Sequence, residues 1–447
     1  MSKGKEIEEK QVDMEGNEFD DQEYEENGDN FYYCESDEEE IIHVIDLNSS
    51  AAAYSIVSDE LRPGKIRKSN ASSYVNFGLD LSLGIKPQDA DYTHYHVPQL
   101  SDELENMIVA RIPLLEFRKL CLLNKKFLAQ IKNGDLLRER RMIGVREASV
   151  FMLASGEDNW WAFDQQFTFH KALPVLPCDG VFRLGDKESL CAGTHLLVCG
   201  NELDGPVIWT YDVIMNKWFK GSSMIQPRCL FASASSGGLA YVAGGIGLES
   251  GGILNSAEKY DPMTRSWEPL PRMKVKRKMC SGVYMDDKFF VIGGQSQNNE
   301  VLTCAEVFDE KRNIWVEIPG ILNGLTLPSS QSTPSPPLVA VVNNELYTIE
   351  TSTNSLMVYL KTSNSWRDLG PIPVRADINK GWGVAFKSLG NELLVIGGST
   401  ISLSGRGMTI YTCCPYPSAE TLNWKLLDDG GGNRRSHFIM NCTVMVA

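Results

Sequence analysis

A glycine doublet, a tyrosine and a tryptophan that follows the tyrosine by seven residues recur along the second half of this 447-residue chain. The clearest copy contains Gly244-Gly245, Tyr260 and Trp267. From position 218 the tryptophans of successive copies, at 267, 315 and 366, come 49, 48 and 51 residues apart. Periods of about 20 to 50 residues are typical of architectures built from repeated supersecondary units. The repeat therefore limits the fold to an array of equivalent modules.

The sequence between these markers predicts short β-strands. The apolar runs 289–292 and 393–396 each precede a glycine doublet, and short runs bounded by glycine are typical of strands buried on both faces. Tyr260 and Trp267 flank a turn with Pro262 at its first corner position, which predicts a hairpin. Four short strands per repeat, with the glycine and aromatic pairs, resemble kelch repeats. The resemblance covers roughly residues 150–447 and implies a mainly β protein with a β-propeller.

The number of copies predicts six blades. Aromatic pairs occur at 211/218, 260/267, 308/315 and 359/366, with a looser pair at 411/424 and a degraded first pair, Phe163 and His170. Residues 436–446 match the start of a repeat without its remainder, and residues 150–164 match the later strands of a repeat without its start. We therefore expect the C-terminal strand to complete the first blade, which removes the edges of an open array. Two departures are Glu350-Thr351 in place of a glycine doublet and a Ser/Pro-rich insertion at 322–337.

Residues 97–144 differ in character, because apolar residues recur there at helical spacing. Leu104, Met107, Ile108 and Ile112 fit one face of a helix that ends at Pro113, and two shorter helices follow. The segment resembles an F-box at Leu100, Leu104, Ile108, Ile112, Pro113, Leu120 and Phe127, the last in the place of the usual tryptophan. The resemblance implies that these residues bind a Skp1-type adaptor. The alternative is that the helices only cap the domain that follows.

The N-terminal arm of residues 1–96 carries the net charge of the chain. Residues 1–46 contain eighteen Asp and Glu and three Lys, a net charge of −15, so the other 401 residues are balanced. High charge and few apolar residues predict that the acidic arm is disordered. The balanced remainder argues against a nucleic-acid partner, since no excess of cations can replace counterions.

Two short motifs lie in this arm, and each has a second interpretation. The basic cluster 62–68 is either a nuclear-import signal or four cations that solvate a linker. An import signal would place the protein in the nucleus, or in the nucleus and the cytoplasm. Leu79-Asp-Leu-Ser-Leu83 resembles the repression motif of plant transcriptional regulators, and the alternative is an ordinary short strand.

The sequence contains no recognisable constellation of catalytic or metal-binding residues. The six histidines are scattered, no CxxC pair occurs, and nucleophile-elbow, phosphate-loop and HExxH motifs are absent. We therefore expect no enzyme activity, no metal and no cofactor. Eleven cysteines, no apolar leader and no apolar run of about 18 residues predict a reduced, intracellular protein without a membrane span. Cys199 and Cys442 lie in apolar runs, where small buried side chains are expected.

Cations in the loops that enter the innermost strands are the candidate target-binding residues, namely Arg228, Arg277, Lys278, Lys380 and Arg435. In kelch propellers that bind peptides, side chains at this position commonly surround the mouth of the central channel. A ring of cations there would attract an acidic or phosphorylated segment, because arginine binds carboxylate and phosphate in bidentate fashion. The alternative is that each cation pairs with a neighbouring acid.

An F-box followed by kelch repeats resembles the plant F-box/kelch-repeat proteins. The resemblance implies a substrate-recognition subunit of an SCF-type ubiquitin ligase. The helices would bind the Skp1-type adaptor and through it a cullin, and the propeller, residues 145–447, would bind an unidentified target. Catalysis would then belong to the partner subunits. The competing hypothesis is a kelch scaffold without a ligase role.

Overall fold

The computed structural model describes residues 100–236, 238–326, 335–378, 380–398, 400, 407–428 and 436–447. His94–Ala447 forms one compact unit. The predicted arm of residues 1–96, with its basic cluster and its leucine motif, lies outside the described residues, and so does Arg435.

A small helical bundle precedes the strands. Its elements are α1, Asp102–Val109, a 3₁₀ turn, Leu114–Glu116, α2, Phe117–Leu123, α3, Lys125–Lys132, and α4, Asp135–Met142. Side-chain caps begin two of the helices, since Ser101 Oγ accepts the Leu104 N–H at 3.3 Å and Asn124 Oδ1 accepts the Phe127 N–H at 2.8 Å. Helices this short are unstable alone, so the bundle depends on its packed apolar side chains. The buried members are Val109, Leu114, Phe117, Leu120, Phe127, Ile131 and Leu136.

The rest of the described chain consists almost entirely of strands, with one further helix, α5, Gly180–Leu184. The strands are β1 Ala148–Ala154, β2 Trp161–Asp164, β3 His170–Ala172, β4 Glu188–Ala192, β5 His195–Glu202, β6 Gly205–Asp212, β7 Lys217–Lys220, β8 Arg228–Cys229, β9 Ala232–Ser236, β10 Leu239–Ala243, β11 Ile246–Gly247, β12 Ala257–Asp261, β13 Ser266–Leu270, β14 Ser281–Met285, β15 Lys288–Ile292, β16 Ala305–Asp309, β17 Ile314–Ile318, β18 Val339–Val342, β19 Glu345–Glu350, β20 Ser355–Leu360, β21 Ser365–Pro371, β22 Ala385–Leu389, β23 Glu392–Gly398, β24 Met408–Cys413, β25 Lys425–Asp428 and β26 Ile439–Val446.

These strands form a six-bladed propeller, which confirms the predicted fold. From the centre outwards the four-stranded antiparallel blades are β26-β1-β2-β3, β4-β5-β6-β7, β9-β10-β12-β13, β14-β15-β16-β17, β18-β19-β20-β21 and β22-β23-β24-β25, and β8 pairs separately with β11. The innermost strands contact one another in the order β26, β4, β9, β14, β18, β22 and again β26, which closes the ring.

The C-terminal strand completes the first blade, as the sequence predicted. Ala148 at the start of β1 lies opposite Val446, and Ala154 lies opposite Ile439. One further pair of hydrogen bonds extends this pairing, because Glu147 and Ala447 exchange backbone N–H to carbonyl bonds of 2.9 and 3.0 Å. The two termini of the propeller are thus joined by main-chain hydrogen bonds that leave no exposed edge at the closure.

The aromatic pairs of the repeat join neighbouring blades at four of the six blade interfaces. Tyr260 lies opposite Trp267 across the β12–β13 hairpin, with ring centroids 5.1 Å apart. The Trp267 indole then donates to the Ser222 carbonyl of the preceding blade at 3.0 Å. The tryptophans at 218, 315 and 366 make equivalent bonds of 2.8, 2.7 and 2.6 Å. The period therefore reflects one aromatic contact at each of these interfaces.

The looser sixth pair differs from the expected hairpin. Tyr411 lies opposite Leu426, not opposite Trp424, because a register shift follows Ile410 and a longer connection precedes β25. Trp424 packs from outside the strand against the core between the fifth and sixth blades, and its buried indole nitrogen has no hydrogen-bond partner among the described residues. The degraded first pair is confirmed, since Phe163 lies opposite His170.

Two glycine doublets, Gly244-Gly245 and Gly293-Gly294, adopt left-handed backbone angles where the second strands of the third and fourth blades leave the core. Gly244 and Gly245 have φ angles of +68° and +91°, a region that glycine occupies without strain. A Cβ atom on Gly244 would lie 2.6 Å from the Arg277 carbonyl oxygen of the loop that enters the next blade. The doublet therefore permits close approach between successive blades.

The strand order gives the propeller two chemically distinct ends. One end carries the loops that enter the innermost strands and the hairpins between second and third strands, and we call it the loop end. The other end carries the hairpins between first and second and between third and fourth strands, and we call it the hairpin end. The four predicted target-binding residues that the structure describes, Arg228, Arg277, Lys278 and Lys380, belong to the loop end.

Candidate adaptor and target interfaces

Helix α1 presents an apolar stripe to solvent. Leu104 and Ile108, one helical turn apart, are 51% and 54% exposed, and Leu100 just before the helix is 59% exposed. Residues four apart lie on the same helix face, so Leu104 and Ile108 form one row, which Leu100 precedes in the chain. Ser101, where an F-box usually has proline, begins the helix by capping it. This departure from the motif therefore keeps the stripe in place.

Leu122 and Leu123 extend the exposed apolar surface, and sequence reasoning missed both as candidates. They end α2 and are 74% and 70% exposed. Lys126 Nζ, at the start of α3, donates to Asp102 Oδ1 at 2.7 Å, so the end of α2 lies beside the start of α1. With Met142 at the end of α4, six large apolar side chains thus face solvent on a bundle of only four helices, which is unusual unless a partner covers them.

A buried arginine fixes the bundle to the propeller. Arg140 of α4 is 1% exposed, and its guanidinium donates to the Ala110 and Ile112 carbonyls at 2.9 and 2.6 Å. The same guanidinium bonds Glu147 at 3.0 Å, and Glu147 Oε2 also accepts the Leu114 N–H at 2.9 Å. Because Glu147 directly precedes β1, one ion pair connects the end of α1, α4 and the first blade.

The bundle lies at the hairpin end of the first two blades. Lys171 Nζ, in the hairpin-end part of β3, donates to the Leu115 carbonyl at 3.1 Å and to Asn216 Oδ1 at 3.3 Å. The apolar side chains of the bundle share one continuous core with Phe151 and Tyr211 of these blades. The bundle and the loop-end cations therefore belong to one compact unit, at opposite ends of the propeller.

Comparisons with known proteins identify the family. A model of the Kelch motif matches residues 227–274 and 276–320. F-box/kelch-repeat protein At3g27150 of Arabidopsis thaliana is 49% identical over 370 residues, which cover 82% of this chain and 87% of that protein. The chain belongs to the F-box/kelch-repeat proteins. Two further Arabidopsis thaliana relatives, At1g26930 and SKIP11, are 37% and 36% identical over 78% and 80% of this chain and 83% and 76% of their own lengths.

The predicted adaptor-binding residues of this F-box/kelch-repeat protein divide into two groups. Leu100, Leu104, Ile108 and Pro113 are exposed, and Ile112 is half-buried against the bundle core. Leu120 and Phe127 are 4% and 7% exposed and belong to that core. The first group can contact a partner directly, whereas the second positions the helices that carry it.

Arg277 differs from the expected exposed target-binding side chain. It is fully buried and bonds Glu306, also fully buried, at 2.9 Å. Its guanidinium also donates to the Gly293 and Cys304 carbonyls at 3.0 and 3.2 Å. The alternative stated above, a cation paired with a neighbouring acid, describes this residue, because burial of an unpaired guanidinium would be too costly.

Arg228 repeats this arrangement one blade earlier. It is 2% exposed, pairs with the buried Glu258 and donates to the Gly244 and Ser256 carbonyls at 3.1 and 2.8 Å. Burial lowers the pKa of Arg228, and the Glu258 charge opposes that shift. Sequence reasoning missed both glutamates, although each occurs two residues before the repeat aromatic, in Ala-Glu-x-Tyr-Asp at 257–261 and Ala-Glu-x-Phe-Asp at 305–309.

Lys278 and Lys380 remain accessible at the loop end. Lys278 is half-buried and Lys380 is exposed, and no described residue forms an ion pair with either. Lys380 lines a cleft of about 100 Å³ together with Met279, which follows Lys278 directly. These two lysines therefore flank one depression between the fourth and fifth blades, whereas the two arginines do not reach solvent.

The remaining titratable groups are consistent with structural roles. Among the described residues, no group of three or more His, Cys, Asp or Glu is placed to bind a metal ion, and no described helix is long and apolar enough to cross a membrane. The ten described cysteines are free, and Cys199 and Cys442 are buried as predicted. Burial raises the pKa of Cys442 to about 11, which keeps that thiol protonated and unreactive at neutral pH.

Proposed function

We propose that this F-box/kelch-repeat protein is the target-recognition subunit of an SCF-type ubiquitin ligase. In this role the helical bundle binds a Skp1-type adaptor, which holds the cullin, and the propeller binds the target protein. Partner subunits carry out catalysis. The protein itself acts by raising the effective concentration of target lysines near the charged E2 enzyme.

The exposed apolar stripe is the observation that carries this proposal. Leu104 and Ile108 sit on a helix whose opposite face is packed, so their exposure does not result from a loose bundle. A helical cap without a partner would gain stability by placing polar residues there. The rigid joint through Arg140 and Glu147 further supports the proposal, because a fixed geometry between adaptor and target favours proximity catalysis.

The target side of the proposal rests on the loop end of the propeller. Lys278 and Lys380 are the predicted target-binding residues that reach solvent there. An acidic or phosphorylated segment is the ligand class that these cations favour.

Co-purification with a Skp1-type adaptor tests the function. The double substitution Leu104→Asp and Ile108→Asp should abolish adaptor binding while the melting temperature stays near that of the wild type, because both side chains are exposed. Met263→Asp is the matched control, since Met263 is 89% exposed in a propeller turn. Retention of the adaptor by the double variant would show that the stripe is not the adaptor interface.

The alternative is a kelch scaffold in which the bundle is only a cap. That function predicts no adaptor in pull-downs of the wild-type chain and no change in target abundance when the proteasome is inhibited. The distinction is direct, because the scaffold needs the propeller alone.

Location and closer placement in the family complete the proposal. The basic cluster 62–68 supports nuclear import, and fusion of the first 96 residues to a fluorescent protein, with and without substitution of the four cations, tests it. The acidic arm and the Arg-Cys and Lys-Met-Cys strand motifs suggest the branch that contains the legume nodulation regulator TOO MUCH LOVE.

A further inference from the structure

The loop between the third and fourth blades carries a row of unpaired cations at the loop end. Along 272–278 the side chains alternate between the two sides of the chain. Met273 and Arg277 are buried and Val275 is half-buried, whereas Arg272, Lys274 and Lys276 are exposed and Lys278 is half-buried. We call these outward cations, Arg272, Lys274, Lys276 and Lys278, the basic segment.

Hydrogen bonds hold the backbone of the basic segment rigidly. Glu306 accepts the Lys274 and Val275 N–H groups at 2.7 and 3.0 Å, in addition to its ion pair with Arg277. The Lys278 N–H donates to the Gln295 carbonyl at 3.0 Å, and the Lys278 carbonyl accepts the Gln295 N–H at 2.8 Å. Since these amides are already used, a ligand cannot add to this loop as a strand. It must be recognised by the outward side chains.

The basic segment concentrates positive charge. None of its four cations forms an ion pair with a described residue, and seven residues span at most about 20 to 25 Å of chain. The Cα atoms of successive cations are thus no more than roughly 7 Å apart, a backbone spacing comparable to the Debye length of about 8 Å at physiological salt. Their potentials therefore add, and an anionic ligand meets one continuous field.

An apolar cleft adjoins the end of the basic segment. Met279 follows Lys278 and lines it, and Leu302, Leu325 and Ile349 contribute further apolar wall. Its volume of about 100 Å³ suits one side chain, since small-molecule pockets are roughly 300–1,000 Å³. Glu350 also lines the cleft and is hydrogen-bonded to the Thr326 N–H at 2.9 Å. This carboxylate repels an acidic side chain, so the residue that enters should be apolar.

We propose that the basic segment and this cleft bind an extended acidic segment of the target protein, with one apolar side chain of that segment inserted in the cleft. The identification of this ligand as the ubiquitination target rests on the proposed function, but the binding itself does not. A nucleic acid is disfavoured, because the cleft is apolar and carries Glu350 at its wall.

Fluorescence polarisation with the full-length chain tests the binding. The probe is a fluorescein-labelled peptide of four glutamates followed by glycine and leucine, and it should bind more weakly as salt is raised. The triple variant Lys274→Gln, Lys276→Gln and Lys278→Gln should lose roughly tenfold in affinity, the sum of three exposed ion pairs. Replacement of the peptide leucine by serine should also weaken binding.

A peptide with phosphoserines in place of two glutamates distinguishes phosphate from carboxylate as the preferred anion, and binding of either supports the proposal.

A control triple variant separates the site from net charge. Lys217→Gln, Lys311→Gln and Lys425→Gln remove three exposed lysines at the hairpin end, where none forms an ion pair with a described residue. Its affinity should equal that of the wild type. Equal loss in both triple variants, no loss in either, or equally tight binding of a single-stranded oligonucleotide of the same charge would overturn the proposal.

Adaptor co-purification of the same variants keeps the two proposals distinguishable. The Lys274, Lys276 and Lys278 triple variant should retain the adaptor. A wild-type chain that binds the peptide but no adaptor contradicts only the ligase function, whereas one that binds the adaptor but not the peptide contradicts only this inference.

Discussion

Replacement of Glu306 by alanine should destabilise the propeller strongly, because that carboxylate serves three partners inside the protein. It forms the buried ion pair with Arg277 and accepts two backbone N–H groups of the basic segment. In Glu306→Ala the guanidinium stays buried without its counter-ion, with two carbonyls and the Cys304 sulfur as its remaining partners. The substitution thus removes the stabilising partner and retains the cost of burial.

The expected loss is about 4 kcal/mol. Breaking one partner of a buried pair costs about 3–5 kcal/mol, and part of this comes from backbone donors that lose their acceptor, at about 1 kcal/mol or more each. For a unit of this size a loss of 1 kcal/mol lowers the melting temperature by roughly 2 °C. Glu306→Ala should therefore melt about 8 °C below the wild type.

Thermal unfolding followed by circular dichroism measures this effect. Glu317→Ala is the matched control, because Glu317 lies directly opposite Glu306 on the neighbouring strand but is exposed. It should change stability by less than about 0.5 kcal/mol. The double variant Arg277→Met and Glu306→Leu should lose less than Glu306→Ala, since neither charge remains buried. If Glu306→Ala and Glu317→Ala melt within 2 °C of each other, the reasoning is refuted.

Three further outcomes follow from single contacts. Burial raises the pKa of Glu188 from 4.5 to about 8, so between these pH values the native state holds a proton that the unfolded chain lacks. The free energy of unfolding should therefore fall as pH rises from about 4.5 to 8, by at most about 1.4 kcal/mol per pH unit. Urea titrations at pH 5 and pH 8 measure this change, which should be smaller in Glu188→Gln than in the wild type. Arg140→Met should accelerate amide exchange across 102–142 by mass spectrometry while β15 and β16 stay protected, and equal acceleration in both would contradict a local joint. In urea denaturation, Trp315→Phe should lower the free energy of unfolding by about 1 kcal/mol more than Trp424→Phe, because of these two variants only Trp315→Phe loses an indole hydrogen bond. Equal losses would show that the hydrogen bond between blades does not contribute to stability.

The repeat was readable from sequence because each of its markers is local. Tyr260 and Trp267 are seven residues apart and lie opposite each other across one hairpin. The doublet that begins at Gly244 is set by the positive φ angles of its own two residues. Ring closure was also accessible, since the incomplete repeats at the two ends of the propeller are complementary. The predicted pairing of Tyr411 with Trp424 was wrong, because the spacing of residues in the sequence does not reveal a register shift between strands.

The candidate site was predictable only in part. The helical spacing of Leu104 and Ile108 indicated one face of α1, and the structure leaves that face open. The residue type alone does not show whether an apolar side chain contacts a partner or the core of its own bundle. Phe127 is therefore predicted among the adaptor-binding residues although it is buried. Leu123 was missed because nothing in the sequence marks the exposed end of a helix.

By itself the sequence determined the modules, their number and the order of bundle and propeller, because periodicity and turn chemistry act within a few tens of residues. Only the tertiary structure decided which cations of the loop 272–278 reach solvent. Arg277 turns inwards because Glu306, 29 residues away, supplies a buried counter-charge, and Lys276 and Lys278 on either side of it turn outwards as a result of the alternation. Such pairing depends on which side chains the fold brings within 3 Å, since a buried guanidinium is stable only beside a buried carboxylate.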